Sequence, residues 1–144
     1  MTILIKSGTI VNEGCAVLGD IVITDDIISG VYAEGETPRG AYDKIVDASG
    51  CFVIPGVIDD HVHFREPGLT NKADIKSESK AAACGGVTSY MDMPNTSPQT
   101  TTLEAYNNKL NIAEKDSLVN YGFFFGATTS NYETFKLLDR HSIP

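Results

Sequence analysis

The chain has 144 residues, with 11 Lys and Arg against 19 Asp and Glu, a net charge of −8. This acidic balance excludes a general phosphate-backbone binder, which needs clustered Lys and Arg, and 42% hydrophobic with 21% charged residues excludes a disordered chain. The length suits one domain with its own core but falls short of the about 250 residues of a closed (β/α)8 barrel.

Residues 1–55 read as short strands. Ile3, Ile5 and Thr9-Ile10-Val11 are β-formers, with turn signals at Ser7-Gly8 and Asn12-Glu13-Gly14. Ile21-Val22-Ile23 and Ile27-Ile28 follow, separated by a hairpin turn at Asp25-Asp26. Gly30, Gly35 and Pro38-Arg39-Gly40 punctuate the next stretch, and Ile45-Val46 and Phe52-Val53-Ile54 are further strand candidates. The spacing predicts a small antiparallel sheet or β-sandwich.

After Pro55-Gly56 the pattern changes. Val57-Ile58 opens a strand that runs into polar residues. A helix is predicted over 73–84, stopped by Gly85-Gly86, where a glycine can adopt the left-handed cap. Val87 to Met93 reads as a strand. Thr101-Thr102-Leu103-Glu104 has the form of a capping box, and Leu103, Tyr106, Leu110 and Ala113 share one helical face. Leu118 to Phe125 is strand-like, with Phe123-Phe124-Phe125 expected in a core or interface. Asn131 is a candidate cap for a helix carrying Tyr132, Phe135 and Leu138. The order β-α-β-α-β-α predicts a parallel sheet. Three such units cannot close a barrel and leave an open edge, so either more chain or a further copy completes the sheet or this is a smaller open α/β domain, and a truncated polypeptide is the expectation.

Cys15, Cys51 and Cys84 are far apart and form no C-x-x-C pair, so reduced and mostly buried thiols are expected. The N-terminus lacks the basic and long apolar regions of a signal peptide, and no apolar stretch approaches the about 20 residues of a membrane span. A soluble, cytoplasmic protein is expected, with no membrane or nucleic-acid partner.

The chemistry lies in Pro55-Gly56-Val57-Ile58-Asp59-Asp60-His61-Val62-His63-Phe64-Arg65-Glu66-Pro67-Gly68. With a side-chain period of two, Asp59, His61, His63 and Arg65 share one face of an extended segment, and Asp60, Val62 and Phe64 the other. Two imidazoles at i and i+2 can converge on one Zn²⁺, and such geometry also tolerates manganese, cobalt or iron, but a metal site wants three or four ligands and the alternative is a pair of surface or packed histidines. Asp59 could orient an imidazole from behind. Position supports a metal site, because the pair ends an apolar strand and a loop follows, where α/β barrels place their active sites. A second polar cluster, Met91-Asp92-Met93-Pro94-Asn95-Thr96, ends the next strand. Arg65 offers a planar fork that matches a carboxylate, unless it pairs with Glu66 or Asp92 at the rim. Asn95 is either a turn residue or a partner of Arg65 in holding a substrate. His141 reads as a helix-end or surface residue.

The stretch Pro55 to Gly68, together with Asp92-Met93-Pro94-Asn95-Thr96, resembles the dihydroorotases of the amidohydrolase superfamily. D-x-H-x-H marks the superfamily broadly, whereas Arg65 in H-x-R-E-P-G and the M-P-N-T element are more specific. The resemblance implies an α/β fold: a small β-sandwich portion over 1–55, then the first three βα units of a metal-dependent TIM-like (β/α)8 barrel over 56–144. It implies that His61 and His63 bind zinc, with two Zn²⁺ in the complete enzyme, and that Arg65 and Asn95 hold the substrate carboxylate. The implied reaction is the reversible hydrolysis of dihydroorotate to N-carbamoyl-L-aspartate in pyrimidine biosynthesis. The family's bridging ligand, further histidines and catalytic Asp have no counterpart in these 144 residues, so the chain alone is expected to bind metal weakly and not to turn over substrate. Allantoinase or hydantoinase/dihydropyrimidinase activity is the alternative within the class. A non-catalytic scaffold and a simple two-histidine metal-binding domain are the alternatives outside it.

Overall fold

A computed structural model describes residues 1–144 except Pro38, Arg140 and Ser142. The chain divides into two compact units, Met1–Pro55 and Gly56–Pro144.

The first unit is a five-stranded mixed sheet built around its first strand. Strands β1 (Thr2–Asn12), β2 (Cys15–Thr24) and β3 (Ile27–Ala33) form an antiparallel meander with turns at Glu13-Gly14 and Asp25-Asp26. Strands β4 (Lys44–Asp47) and β5 (Phe52–Val53) both pair with β1 in parallel, so the expected antiparallel pattern holds for the first three strands alone. Leu4, Ile10, Ile21, Val22 and Ala48 are its buried apolar residues. Ser7-Gly8 does not end a strand. It is an irregularity inside β1, where the register shifts between Ile5 and Gly8 and Ser7 adopts φ +59°. The Asp20 carboxylate stabilises this kink by accepting the Ser7 N–H at 2.7 Å.

The second unit is a three-stranded parallel sheet in the order β6 (Val57–Val62), β7 (Val87–Asp92), β8 (Asn120–Phe123). Helices α1 (Ile75–Cys84) and α2 (Leu103–Asp116) make the crossovers, as parallel strands require. Asp74 caps α1 in a reciprocal capping box with Ser77. Gly85 ends α1 in the right-handed region, and the left-handed residue is Gly86 at φ +83°. The cap of α2 is Thr102, whose hydroxyl accepts the Ala105 N–H at 3.2 Å, one residue later than the T-x-x-E pattern suggests. Helix α3 (Tyr132–Phe135) is one turn, and Asn131 does not cap it. Its amide instead donates to Thr101 O and Gly126 O and accepts from Thr128 N, joining two loops.

Phe64, Ile75, Tyr90, Tyr106, Ala113, Phe123 and Phe125 form the core of this unit. Tyr90 is fully enclosed, and burial pushes its phenol up to about 12. The three cysteines are free but exposed, contrary to the expectation of burial, because they sit at strand and helix ends rather than on an apolar stripe. His141 is exposed, as expected of a surface residue. Among the described residues no helix is long and apolar enough to cross a membrane.

Candidate functional site

The site residues lie where β6 and β7 end and their loops begin. The pairing of β6 with β7 becomes irregular between Asp59 and Val62, and regular strand geometry stops at Val62. Val62 and Phe64 still turn toward the apolar interior, and Phe64 is 7% exposed. That anchoring leaves His61 and His63 on the open side, with ring centroids 5.2 Å apart and planes at 69°. His63 Nδ1 lies 2.8 Å from Asn95 Oδ1 in the loop after β7. Asp59 does not reach a ring: its carboxylate accepts the backbone N–H of His61 at 3.2 Å. That bond supports the strand end.

Arg65 stands at the turn of the first loop with φ +71°, a left-handed conformation that a side-chain-bearing residue rarely adopts. Leu69 N donates to its carbonyl at 3.1 Å and closes the turn. Both acidic neighbours that could have neutralised Arg65 are engaged elsewhere. Glu66 accepts the Ile75 N–H at 2.9 Å, placing an anion at the N-terminus of α1, and Asp92 faces Lys109. Among the described residues the Arg65 guanidinium has no partner, so it is free to take an anion.

The two loops are held against each other. Ser97 N donates to Pro67 O at 3.0 Å. Gly68, at φ +83°, lies so close to Ser97 that a Cβ would fall 1.8 Å from Ser97 O. Glycine is required there for both conformation and space. Thr96, 6% exposed, donates to Pro98 O at 2.8 Å and fixes the loop that presents Asn95.

Beneath the loops lies an ion pair that was not anticipated. Lys109 Nζ is 2.7 Å from Asp92 Oδ2, and both side chains are essentially inaccessible. Lys109 also donates to Met93 O at 3.0 Å and lies 4.7 Å from the centroid of the Phe123 ring. Asp92 Oδ1 accepts the Phe64 N–H at 2.9 Å. One buried pair thus grips the backbone between His63 and Arg65 and the backbone leading to Asn95. Burial pulls the Lys109 ammonium below its ordinary value, and the Asp92 charge opposes that pull. A signal existed in the sequence. Lys109 is three residues after Tyr106 and four before Ala113, on the apolar face of α2, where a cation needs a buried acid.

The donor set fits a metal ion in part. Two adjacent imidazoles suit zinc, and Asn95 leaves the Nε2 edge of His63 uncommitted. No group of three or more His, Cys, Asp or Glu converges among the described residues.

Residues 52–143 match the amidohydrolase family. The chain is 41% identical over 132 residues to an allantoinase of Desulfitobacterium hafniense, covering 91% of this chain and 29% of that relative. It is 45% identical over 98 residues to a dihydroorotase of Methanosarcina mazei, covering 68% and 21% of the two chains. Among solved structures it resembles the L-hydantoinase (dihydropyrimidinase) of Arthrobacter aurescens, with TM-score 0.86 and 30% identity over 94% of this chain and 30% of that one. The chain therefore spans less than a third of the length of these relatives. The parallel β6–β7–β8 sheet corresponds to part of the barrel of such enzymes, as the motif pattern implied. With the histidine pair at a strand end and the family match running from β5 to the last described residues, the chain belongs to the amidohydrolase family.

Proposed function

We propose that this chain is part of a zinc-dependent cyclic amidohydrolase whose substrate carries a carboxylate, with dihydroorotate hydrolysis to N-carbamoyl-L-aspartate as the reaction. The observation that carries the reading is Arg65: a half-buried residue on a left-handed backbone, two positions beyond His63, whose guanidinium has no partner among the described residues. Its bidentate fork suits a planar carboxylate, and because Arg65 follows His63 by two residues, a carboxylate held there would lie near the histidine pair. His61 and His63 would hold the metal, which when bound supplies Lewis acidity toward the ring carbonyl and acidifies water. In the hydrolytic direction, water adds its oxygen to the ring carbonyl carbon, the C–N bond breaks and the nitrogen leaves with a proton. Arg65 would keep the ring in register during that step, from a turn closed by the Leu69 N–H on its carbonyl. The general acid–base group is not assigned to a residue of this chain.

Allantoin hydrolysis is a second reading, favoured by the 41% identity to an allantoinase. A substrate panel on the complete gene product separates the two. Dihydroorotate, allantoin and hydantoin are each offered to the parent protein and to Arg65→Met. The proposal expects ring opening of dihydroorotate and a loss of kcat/KM of about 10- to 150-fold in the variant, the range of a charge-assisted contact. Ring opening of allantoin alone, or a variant with unchanged kcat/KM for dihydroorotate, rejects it.

A further inference from the structure

His63 and Asn95 come from different loops, yet their side chains meet at 2.8 Å through His63 Nδ1 and Asn95 Oδ1. An amide oxygen accepts and cannot donate. With Oδ1 turned to the ring, the proton of this bond sits on His63 Nδ1, and a neutral imidazole then carries its lone pair on Nε2. A ligating histidine needs that arrangement, with one nitrogen held by an acceptor and the other open to the metal. Asp59, the residue whose sequence position suggests such a role, accepts the His61 backbone N–H through Oδ1 and makes no ring contact among the described residues. The Asn95 amide nitrogen has no partner among the described residues, so its two N–H groups remain available to a bound molecule.

We infer that Asn95 is a positioning residue for His63: its Oδ1 fixes the Nδ1–H tautomer and presents Nε2 as a metal donor, while its Nδ2 faces the substrate. The inference rests on the reading of His63 as a metal ligand. It changes what Asn95 signifies, because a residue that serves the histidine is useful whether or not the substrate carries a carboxylate. Arg65 is left as the residue that discriminates between substrates. The loop architecture supports the assignment, since Lys109 holds Met93 O and Asp92 holds Phe64 N, which keeps both partners of the bond at their separation.

The test uses the complete gene product, freed of metal and labelled with ¹⁵N-histidine, with His63 assigned by its loss in His63→Gln. Imidazole ¹⁵N shifts report the tautomer at a pH where the ring is neutral, and a zinc titration followed on the same resonances reports affinity. The parent protein should hold His63 as Nδ1–H. Asn95→Ala should release it to a mixture dominated by Nε2–H and weaken zinc binding about 10- to 100-fold, as for other outer partners of metal ligands. Asn95→Asp keeps an acceptor and loses the donors. It should retain the tautomer and most of the zinc affinity, yet raise KM for the ring substrate. A contact serving the substrate alone would leave tautomer and affinity unmoved in all three proteins. An Nε2–H ring in the parent, or zinc binding as tight in Asn95→Ala as in the parent, overturns the inference while leaving the metal reading intact. Zinc that does not move the His63 resonances of the parent overturns the metal reading, and the inference with it.

Discussion

Replacing Lys109 by Met should destabilise the protein far more than its removal from a solvated helix face would. Lys109 and Asp92 are a 2.7 Å pair with side chains 0% and 1% exposed, so the variant strands a carboxylate in the core next to Phe123. Breaking such a pair from one side costs about 3–5 kcal/mol. For a chain of this size that corresponds to a fall in Tm of about 6–20 °C. Asp92→Asn alone should fall in the same range, because it strands the ammonium. The double variant Asp92→Asn/Lys109→Met removes both charges and still offers Phe64 N–H an amide oxygen. It should recover more than half of the loss, since a neutral replacement of a buried pair is often tolerated. Thermal and urea unfolding of the four proteins at neutral pH make a complete cycle. Single variants that melt within about 2 °C of the parent, or a double variant that melts at the sum of the two losses, would mean that the two charges are not coupled in the core.

Three further outcomes follow from local geometry. Gly68→Ala should lose about 2–4 kcal/mol, combining a left-handed alanine with a Cβ driven into Ser97 O, and urea unfolding reads the loss. The Asp74 carboxyl is held below its ordinary value by the Ser77 N–H and hydroxyl, so its capping contribution is complete above pH 3.8 and disappears as pH falls through its lowered value. The gap in Tm between the parent and Asp74→Ala should therefore be constant from pH 7 to 5 and close in more acidic buffer. A gap that widens on acidification contradicts this. Arg65→Lys keeps the charge but not the fork, and should recover only a small part of the kcat/KM for dihydroorotate lost in Arg65→Met.

The alternation of apolar residues in β1 and β2, the glycine pair after α1 and the 3.6-residue spacing of Leu103, Tyr106, Leu110 and Ala113 were enough to place the elements, because these patterns act within one segment. The histidine pair and Arg65 were legible for the same reason: spacing along a strand, then a turn. What escaped are contacts between segments. The Lys109–Asp92 pair joins a helix to the strand before it across 17 residues of sequence, and the His63–Asn95 bond spans 32. Asp59 was assigned from strand periodicity to an imidazole, but the irregular pairing of β6 after Asp59 brings its carboxylate onto the local backbone. Ser7-Gly8 carries turn chemistry, yet the strand continues through it because Asp20 on the neighbouring strand accepts the Ser7 N–H. Thr101 and Thr102 offer two adjacent candidate caps, and composition does not choose between them.

In the function proposed above, His61 and His63 carry the metal of a cyclic-amide hydrolase. The most direct measurement is zinc content alongside dihydroorotate hydrolysis for the complete gene product and for His61→Ala/His63→Ala. Bound zinc and ring opening are expected in the parent, and loss of both in a variant that remains folded by circular dichroism. A folded double variant that opens the ring as fast as the parent would contradict it.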